Sequence, residues 1–420
     1  MSRLLGCIAD DYTGATDLGA MLSRAGMRVL LHFGLPENPL NAAGYDAAII
    51  ALKSRSIPAR DAVEQSLAAL AVLRSVGFAR FFFKYCSTFD STDKGNIGPV
   101  AGALADTLDA SRVFFCPSFP ENGRTVYCGH LFVNGKPLHE SGMERHPLNP
   151  MTDADLVRVL GRQTKQTVGL LPYSAVEVGF GPAETAADEL VAQGVQFVIA
   201  DALKDLHLGT LAFVAERDVL MTGGSAFAGA IAQACHMRRE LAFRLPDAVG
   251  MEGYAAFLSG SCSAATQRQV AAFRKAAFSR AVDPLRLAAG DDSVRKIVDS
   301  AAERLADGPV MVYSTADLAA VGAAQRELGV EAASAMLEDT LARVAAGLVE
   351  KGVRRLVLAG GETSGAVIRE LGVEAVRIGP EIAPGVPWVE TLDEPRLALA
   401  LKSGNFGADD FFFRALGTAQ

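Results

Sequence analysis

Hydrophobic positions along the chain fall into short runs of four to nine residues, separated by longer stretches with helical periodicity. Runs at 4–9, 29–33, 47–52, 78–86, 113–117, 168–172 and 195–200 read as strands, and segments 59–76, 153–165 and 182–193 read as amphipathic helices between them. Such alternation predicts parallel α/β architecture. Near residue 245 the texture changes: HMRRELAF gives way to RLPDAVGMEG, punctuated by Pro and Gly, before a new apolar run at 254–259. Runs at 284–287, 310–314, 356–359 and 375–378 then repeat the alternation. The expected fold is two α/β domains, 1–244 and 245–420, with mostly parallel sheets around an interdomain cleft, the second domain being the smaller. No repeat of fixed period and no low-complexity tract is present.

Composition narrows the class. A chain of 420 residues exceeds one ordinary core, and 50% hydrophobic with 21% charged residues is the profile of a globular protein. The formal net charge is −8 with dispersed basic residues, which excludes the Lys/Arg stripe of a nucleic-acid surface and leaves room for local anion sites. No apolar stretch approaches the ~20 residues that span a bilayer, so no membrane partner is expected. MSRLLGCIADD reaches an acidic pair too early for a signal peptide, and the cytoplasm is the expected compartment. Six cysteines without a C-x-x-C pair read as buried thiols, and six histidines show no ligand spacing. Any metal is therefore expected to arrive with a phosphate ligand rather than in a protein-held site.

The most informative segment is 354–372, RRLVLAGGETSGAVIRELG, where an apolar run breaks into Gly360-Gly361-Glu362-Thr363-Ser364-Gly365 and resumes with helical periodicity. A glycine-rich turn into a helix leaves N–H groups unpaired beside the positive end of the helix dipole, which suits phosphate. An ordinary βα turn needing glycine only for close packing is the alternative. The turn is neither a Walker A loop nor a G-x-G-x-x-G fingerprint. Ser259-Gly260-Ser261-Cys262-Ser263 and Lys402-Ser403-Gly404-Asn405-Phe406-Gly407 are turns of the same kind in the second half, together more like a nucleotide cradle than coincidence. Thr222-Gly223-Gly224-Ser225, opening a helix in the first half, is more ambiguous.

The first half carries a different chemistry. Asp10 and Asp11 follow the first strand, at the edge where open α/β sheets bind ligands, and could hold Mg²⁺, accept from a polyol or act as a base. Helix capping by Asp11 or Thr13 is the plainer reading. A D-x-D-x-T nucleophile is disfavoured because position 12 is Tyr. Lys84-Tyr85-Cys86-Ser87-Thr88-Phe89-Asp90-Ser91-Thr92-Asp93-Lys94-Gly95-Asn96-Ile97-Gly98 follows a strongly apolar strand, precedes a helix, and offers a Lys, four hydroxyls, an Asp and an Asn as directional polar groups for a small hydroxylated acid. Capping explains Ser91 and Thr92 but not Lys84 at the end of a buried strand. Arg55 or Arg124 could clamp a carboxylate through a bidentate fork, or equally be a solvated surface residue.

In this order and spacing ADDYTGATD, KYCSTFDST with GNIG, SGSCS, AGGETSG and KSGNFG resemble the four-carbon acid sugar kinases, over residues 8 to about 413. Lys84 to Thr92 together with PSFPENGRTVYCGHLFV looks like the 3-oxo-tetronate kinase branch, since the threonate and erythronate branches carry a more compact Lys-x-Asp-Ser-Thr. The resemblance implies an ATP-dependent kinase that phosphorylates the C4 hydroxyl, with Mg²⁺, a sugar-acid-binding amino-terminal domain and a nucleotide-binding carboxy-terminal domain. Carried over by motif, Ser259, Ser261, Gly360, Gly361, Glu362, Thr363 and Gly404 would contact ATP. Asp10, Asp11, Arg55, Lys84, Ser87 and Asp90 would surround the acid sugar, with Asp10 or Asp11 acting on the hydroxyl. A homodimer is left open. Rival readings are a nucleotide-dependent dehydrogenase, which lacks its fingerprint here, and a non-catalytic sugar-acid sensor, which has no use for three phosphate-type turns.

Overall fold

The computed structural model describes residues 4–89, 92–145, 149–238, 242–250, 252–315, 323 and 326–417. The chain divides into two compact units, Met1–Pro246 and Asp247–Gln420.

The strands of the first unit are β1 (Leu5–Ala9), β2 (Val29–Phe33), β3 (Ala47–Ala51), β4 (Phe81–Lys84), β5 (Val113–Cys116), β6 (Arg124–Tyr127), β7 (His130–Val133), β8 (Lys136–Pro137), β9 (Val168–Leu171), β10 (Phe197–Ala200) and β11 (Leu220–Gly223). Among the described residues eight of them form a parallel sheet in the order β2-β3-β1-β4-β11-β5-β10-β9. Helices such as Tyr12–Arg24, Ala59–Ser75 and Ser225–Met237 connect them. Strands covered on both faces need apolar residues throughout, and β3 (AAIIA) and β4 (FFFK) are buried at every position. β1 lies between β3 and β4. The chain leaves β1 for β2 on one side and crosses from β3 to β4 on the other, so strand order reverses there, the place where open α/β sheets bind ligands.

β11 and the antiparallel β6-β7-β8 ribbon fall outside the strand runs expected from the sequence. Both ribbon turns carry positive φ, at Cys128-Gly129 (49° and 76°) and Asn134-Gly135 (51° and 79°), the conformation that matches strand twist in tight hairpins.

The second unit contains β12 (Tyr254–Ser259), β13 (Ser279–Ala281), β14 (Val310–Tyr313), β15 (Val353–Ala359), β16 (Ala375–Ala383), β17 (Val386–Thr391) and β18 (Ala398–Lys402). They run in the order β13-β14-β12-β15-β18-β17-β16, parallel as far as β18, with β17 antiparallel to both neighbours. Phe257 packs on Phe273 and Phe412, with ring centroids 4.7 and 5.3 Å apart, inside a core shared with Trp388 and Phe411. One expectation is corrected here. Residues 284–287 are not a strand: Pro284–Ala288 is a helix, begun by Pro at its first position and capped by Asp283, whose Oδ1 accepts from Leu285 N at 2.9 Å. The strand of that region is β13, just before it. Among the described residues no helix is long and apolar enough to cross a membrane.

Candidate active site

At the reversal point in the first sheet, four charged side chains meet at the carboxyl ends of β1, β3 and β4. Asp10 ends β1; its carbonyl accepts from Ser54 N (3.0 Å) and Arg55 N (3.2 Å), which folds the turn after β3 over the end of β1. The Arg55 guanidinium then grips Asp10 twice, Nε to Oδ2 at 2.9 Å and Nη2 to Oδ1 at 2.7 Å, and reaches Asp11 Oδ1 at 2.6 Å. A planar fork on a carboxylate fixes orientation as well as charge. Asp11 also caps the helix Tyr12–Arg24, accepting from Gly14 N at 3.1 Å and from the Thr13 hydroxyl at 2.8 Å. Capping and clustering, alternatives on sequence, are therefore performed by one side chain.

Lys84 closes the group from β4. It is 3% exposed, and its ammonium donates to Tyr85 O at 3.0 Å. A Cβ added to Gly14 would stand 2.9 Å from Lys84 Nζ and would collide with Asp11 Oδ1, so only glycine lets the helix start lie this close to both charges. The cluster thus contains two carboxylates and two basic side chains.

The two aspartates are not equivalent. Burial lifts the Asp10 proton affinity above the ordinary carboxylate range, outweighing the Arg55 fork. Asp11 is half-buried, and although desolvation raises it too, Arg55, Lys84, the Thr13 hydroxyl and Gly14 N together hold it below that range. Ser87 lies one turn further on, beside Gly224 on the loop after β11. Asp90 lies outside the described residues. Arg124 is not part of this group: it begins β6 and donates to the carbonyl of Asn122 in its own turn.

In the second unit the three glycine turns converge at the carboxyl ends of the adjacent strands β12, β15 and β18. Gly260 and Ser261 both donate to Ala359 O (3.0 and 3.2 Å), and Gly360 N donates to Lys402 O at 2.9 Å. A Cβ on Gly260 would collide with Thr363 Oγ1, one on Gly360 (φ 125°) would sit 3.2 Å from Ser261 N, and one on Gly404 would be 2.5 Å from Ser261 Oγ. These glycines are where the turns touch. The helix Gly361–Glu370 makes its first internal bond from Ser364 N to Gly360 O (2.9 Å), so the N–H groups of Gly361, Glu362 and Thr363 precede the ladder.

Beside these turns lies a cavity of about 560 Å³. Its lining combines Gly260, Glu362 and Thr363 with the apolar Val282, Leu285 and Leu337, a mixture that suits a ligand with anionic and flat apolar portions. Ser259 stands apart from the lining: it is fully buried with its hydroxyl 2.7 Å from that of Thr315.

Sequence reading missed what holds the third turn. Lys402 is fully buried and donates to Thr266 Oγ1 (3.0 Å) and to the carbonyls of Ser403, Gly404 and Phe406 (3.1 to 3.2 Å). Gln269 Nε2 reaches the carbonyls of Phe406, Gly407 and Ala408 at 2.9 to 3.0 Å. In a trans peptide the N–H opposes the C=O, so the N–H groups of Gly404, Asn405 and Gly407 face away from the lysine. Burial pushes the Lys402 ammonium down to about 7.

The comparisons with known proteins agree with this division. The sugar-binding N-terminal domain family matches residues 5–231 and the nucleotide-binding C-terminal domain family matches residues 256–412. The chain belongs to the four-carbon acid sugar kinase family, in its 3-oxo-tetronate kinase branch. A 3-oxo-tetronate kinase of Burkholderia multivorans is 51% identical, with 98% of this chain and 96% of that protein covered. One of Cupriavidus necator is 52% identical over the same shares. A crystal structure from Salmonella typhimurium LT2, provisionally described as a tRNA synthase, superposes with TM-score 0.89 at 41% identity over 98% of both chains.

Proposed function

We propose that this protein transfers the γ-phosphoryl group of ATP to the C4 hydroxyl of 3-oxo-tetronate, giving 3-oxo-tetronate 4-phosphate. Relatives about half identical over nearly the whole chain carry that activity in their names. The observation that carries the residue assignment is the Asp10–Arg55–Asp11–Lys84 cluster, which places a buried carboxylate and two cations at the reversal point of the sheet.

The second unit fits a nucleotide on its own geometry. The cavity has the size of a small-molecule site, and a Cβ at Gly260, Gly360 or Gly404 would press against a neighbouring turn. Gly361, Thr363 and Gly404 receive the phosphates through backbone N–H groups, Gly260 and Gly360, whose own N–H groups bond Ala359 O and Lys402 O, let the turns approach one another, Ser261 supports Gly404, and Ser259 braces the first turn through Thr315. Mg²⁺ supplies charge neutralisation between phosphate oxygens when bound. Glu362, one of three acidic residues that line the cavity with Asp283 and Glu338, would offer the ion a carboxylate oxygen at the start of the helix Gly361–Glu370.

In the first unit, Lys84 and the Nη1 side of Arg55, which neither aspartate uses, hold the substrate carboxylate. Asp10 accepts the C4 hydroxyl proton, because burial makes it the more basic carboxylate. Asp11, kept ionised, fixes Arg55 and the helix start. Ser87 contributes a further polar contact from the turn after β4. The cytoplasm, which supplies ATP and keeps thiols reduced, is the compartment this reading implies, and none of the six cysteines is in a disulfide.

The test is ADP release by purified protein with Mg·ATP and a panel of D- and L-3-oxo-tetronate, threonate and erythronate. Release with an oxo-tetronate is the expected result. Release with threonate or erythronate alone would move the chain to another branch, and silence across the panel despite ATP binding would overturn the substrate assignment.

A further inference from the structure

Asn96 opens the helix Ile97–Leu108, where an asparagine ordinarily caps the first turn. It makes no such bond. Its Nδ2 instead donates to three carbonyls of the turn after β3: Ser54 O at 2.5 Å, Arg55 O at 3.1 Å and Ile57 O at 3.1 Å. With the amide rotated the other way, its oxygen would face three oxygens, so the donor assignment is forced by the surroundings. The vacated cap is filled from elsewhere: Gln163 Oε1 accepts from Gly98 N at 2.9 Å, while Gln163 Nε2 donates to Thr92 O at 2.7 Å. Asn96 is 8% exposed and borders, with Asp10, Arg55 and Cys86, a void of only about 10 Å³.

Arg55 is therefore pinned at both ends of its residue, by Asp10 O on its N–H and by the Asn96 amide on its carbonyl. We infer that Asn96 is a positioning residue for the acid-sugar site, freed from helix capping by Gln163 and acting through the turn that carries Arg55. The inference rests on the functional reading above. A misplacement of the guanidinium by about 1 Å would weaken both its fork on Asp10 and its hold on a substrate carboxylate, a change worth roughly 10²-fold in rate.

The experiment is a double-mutant cycle in the full-length protein with Asn96→Asp and Arg55→Ala, read in the ADP-release assay. Asn96→Asp keeps the side-chain volume and remains a good cap, but removes both donors and sets a carboxylate against three carbonyls. The single variant is expected to lose roughly 10- to 100-fold in kcat/KM for the acid, with KM for ATP unchanged. In the Arg55→Ala background the same substitution is expected to add less than twofold, because the group it positions is gone. A full additional loss there would assign Asn96 a general structural role and overturn the inference, as would a single variant of wild-type kcat/KM. If Asn96→Asp does not accumulate folded, the same cycle is run with Asn96→Ala. Silence of the wild-type protein with every acid would instead bring down the functional reading itself, so the two failures are told apart by the unmutated protein.

Discussion

Arg55 meets Asp10 through two parallel bonds, Nε–Oδ2 at 2.9 Å and Nη2–Oδ1 at 2.7 Å, while its backbone N–H donates to the carbonyl of the same aspartate. The two residues are 45 positions apart in sequence and act as one unit. A lysine keeps the charge but has no planar fork, so it cannot hold Asp10 and Asp11 together and still face a substrate carboxylate. Arg55→Lys is expected to lower kcat/KM for the acid by roughly 10- to 100-fold with little change in the Kd for ATP. Steady-state kinetics with each substrate varied in turn checks this, and wild-type acid KM would remove Arg55 from the site.

Asp10 and Asp11 should separate by pH. Burial raises Asp10 and the surrounding cations lower Asp11. A base must be deprotonated to act, so the rate should fall on acidification through the raised value of Asp10, at a pH above the ordinary aspartate range of about 4. Asp10→Asn is expected to cost roughly 10² to 10⁴ in kcat and to abolish that acid limb. Asp11→Asn, which can still cap Gly14, should keep the limb while weakening the acid's binding. A limb unmoved in Asp10→Asn would transfer the base role away from Asp10.

Much of this architecture is legible locally. The strands of the first sheet announce themselves as apolar runs because both their faces are covered, and Asp10, Asp11 and Lys84 can be picked out as polar residues ending such runs. β11 escaped because LMTG is only four residues and dissolves into the glycine turn that follows it. The β6-β7-β8 ribbon did carry a signal, Asn134-Gly135 directly after the apolar run Leu131–Val133, but the basic residues around it drew the reading toward binding. Gln163 and Gln269 could not be read at all, and Asn96 could be read only as one polar group among several after β4. Each donates to or accepts from backbone groups more than thirty residues away, and an amide that holds a distant loop looks in sequence like any polar cap.

The glycine turns make a steric prediction. A methyl group on Gly260 would collide with Thr363 Oγ1, and Leu341 Cδ1 stands 3.3 Å from the same point. Relief requires the turn after β12 to move away from the helix Gly361–Glu370, opening the place where phosphate N–H donors converge. Overpacking of this kind costs about 1–3 kcal/mol, so Gly260→Ala is expected to weaken ATP binding roughly 10- to 100-fold, with KM for the acid preserved. Isothermal titration with ATP measures it directly, and unchanged affinity would place the phosphates elsewhere.

Lys402 makes a prediction about stability rather than turnover. Its ammonium is buried beneath the third glycine turn, and burial pushes it down to about 7, against about 10.4 in the unfolded chain. Below pH 7 the lysine is protonated in both states and the full burial penalty is present. Between about 7 and 10.4 the unfolded chain binds the proton that the native lysine has released, so this group makes stability rise with pH, by at most ~1.4 kcal/mol per unit. Lys402→Met should remove that rise. It should also lower stability at the alkaline end, where no burial penalty is relieved, because the carbonyls of Ser403, Gly404 and Phe406 and the Thr266 hydroxyl lose a shared donor. Urea unfolding of both proteins from pH 6.5 to 9.5 isolates the effect as the difference between two curves. Parallel curves would mean that the four acceptors hold the ammonium charged in spite of its burial, and that the turn keeps its cation throughout the working pH range.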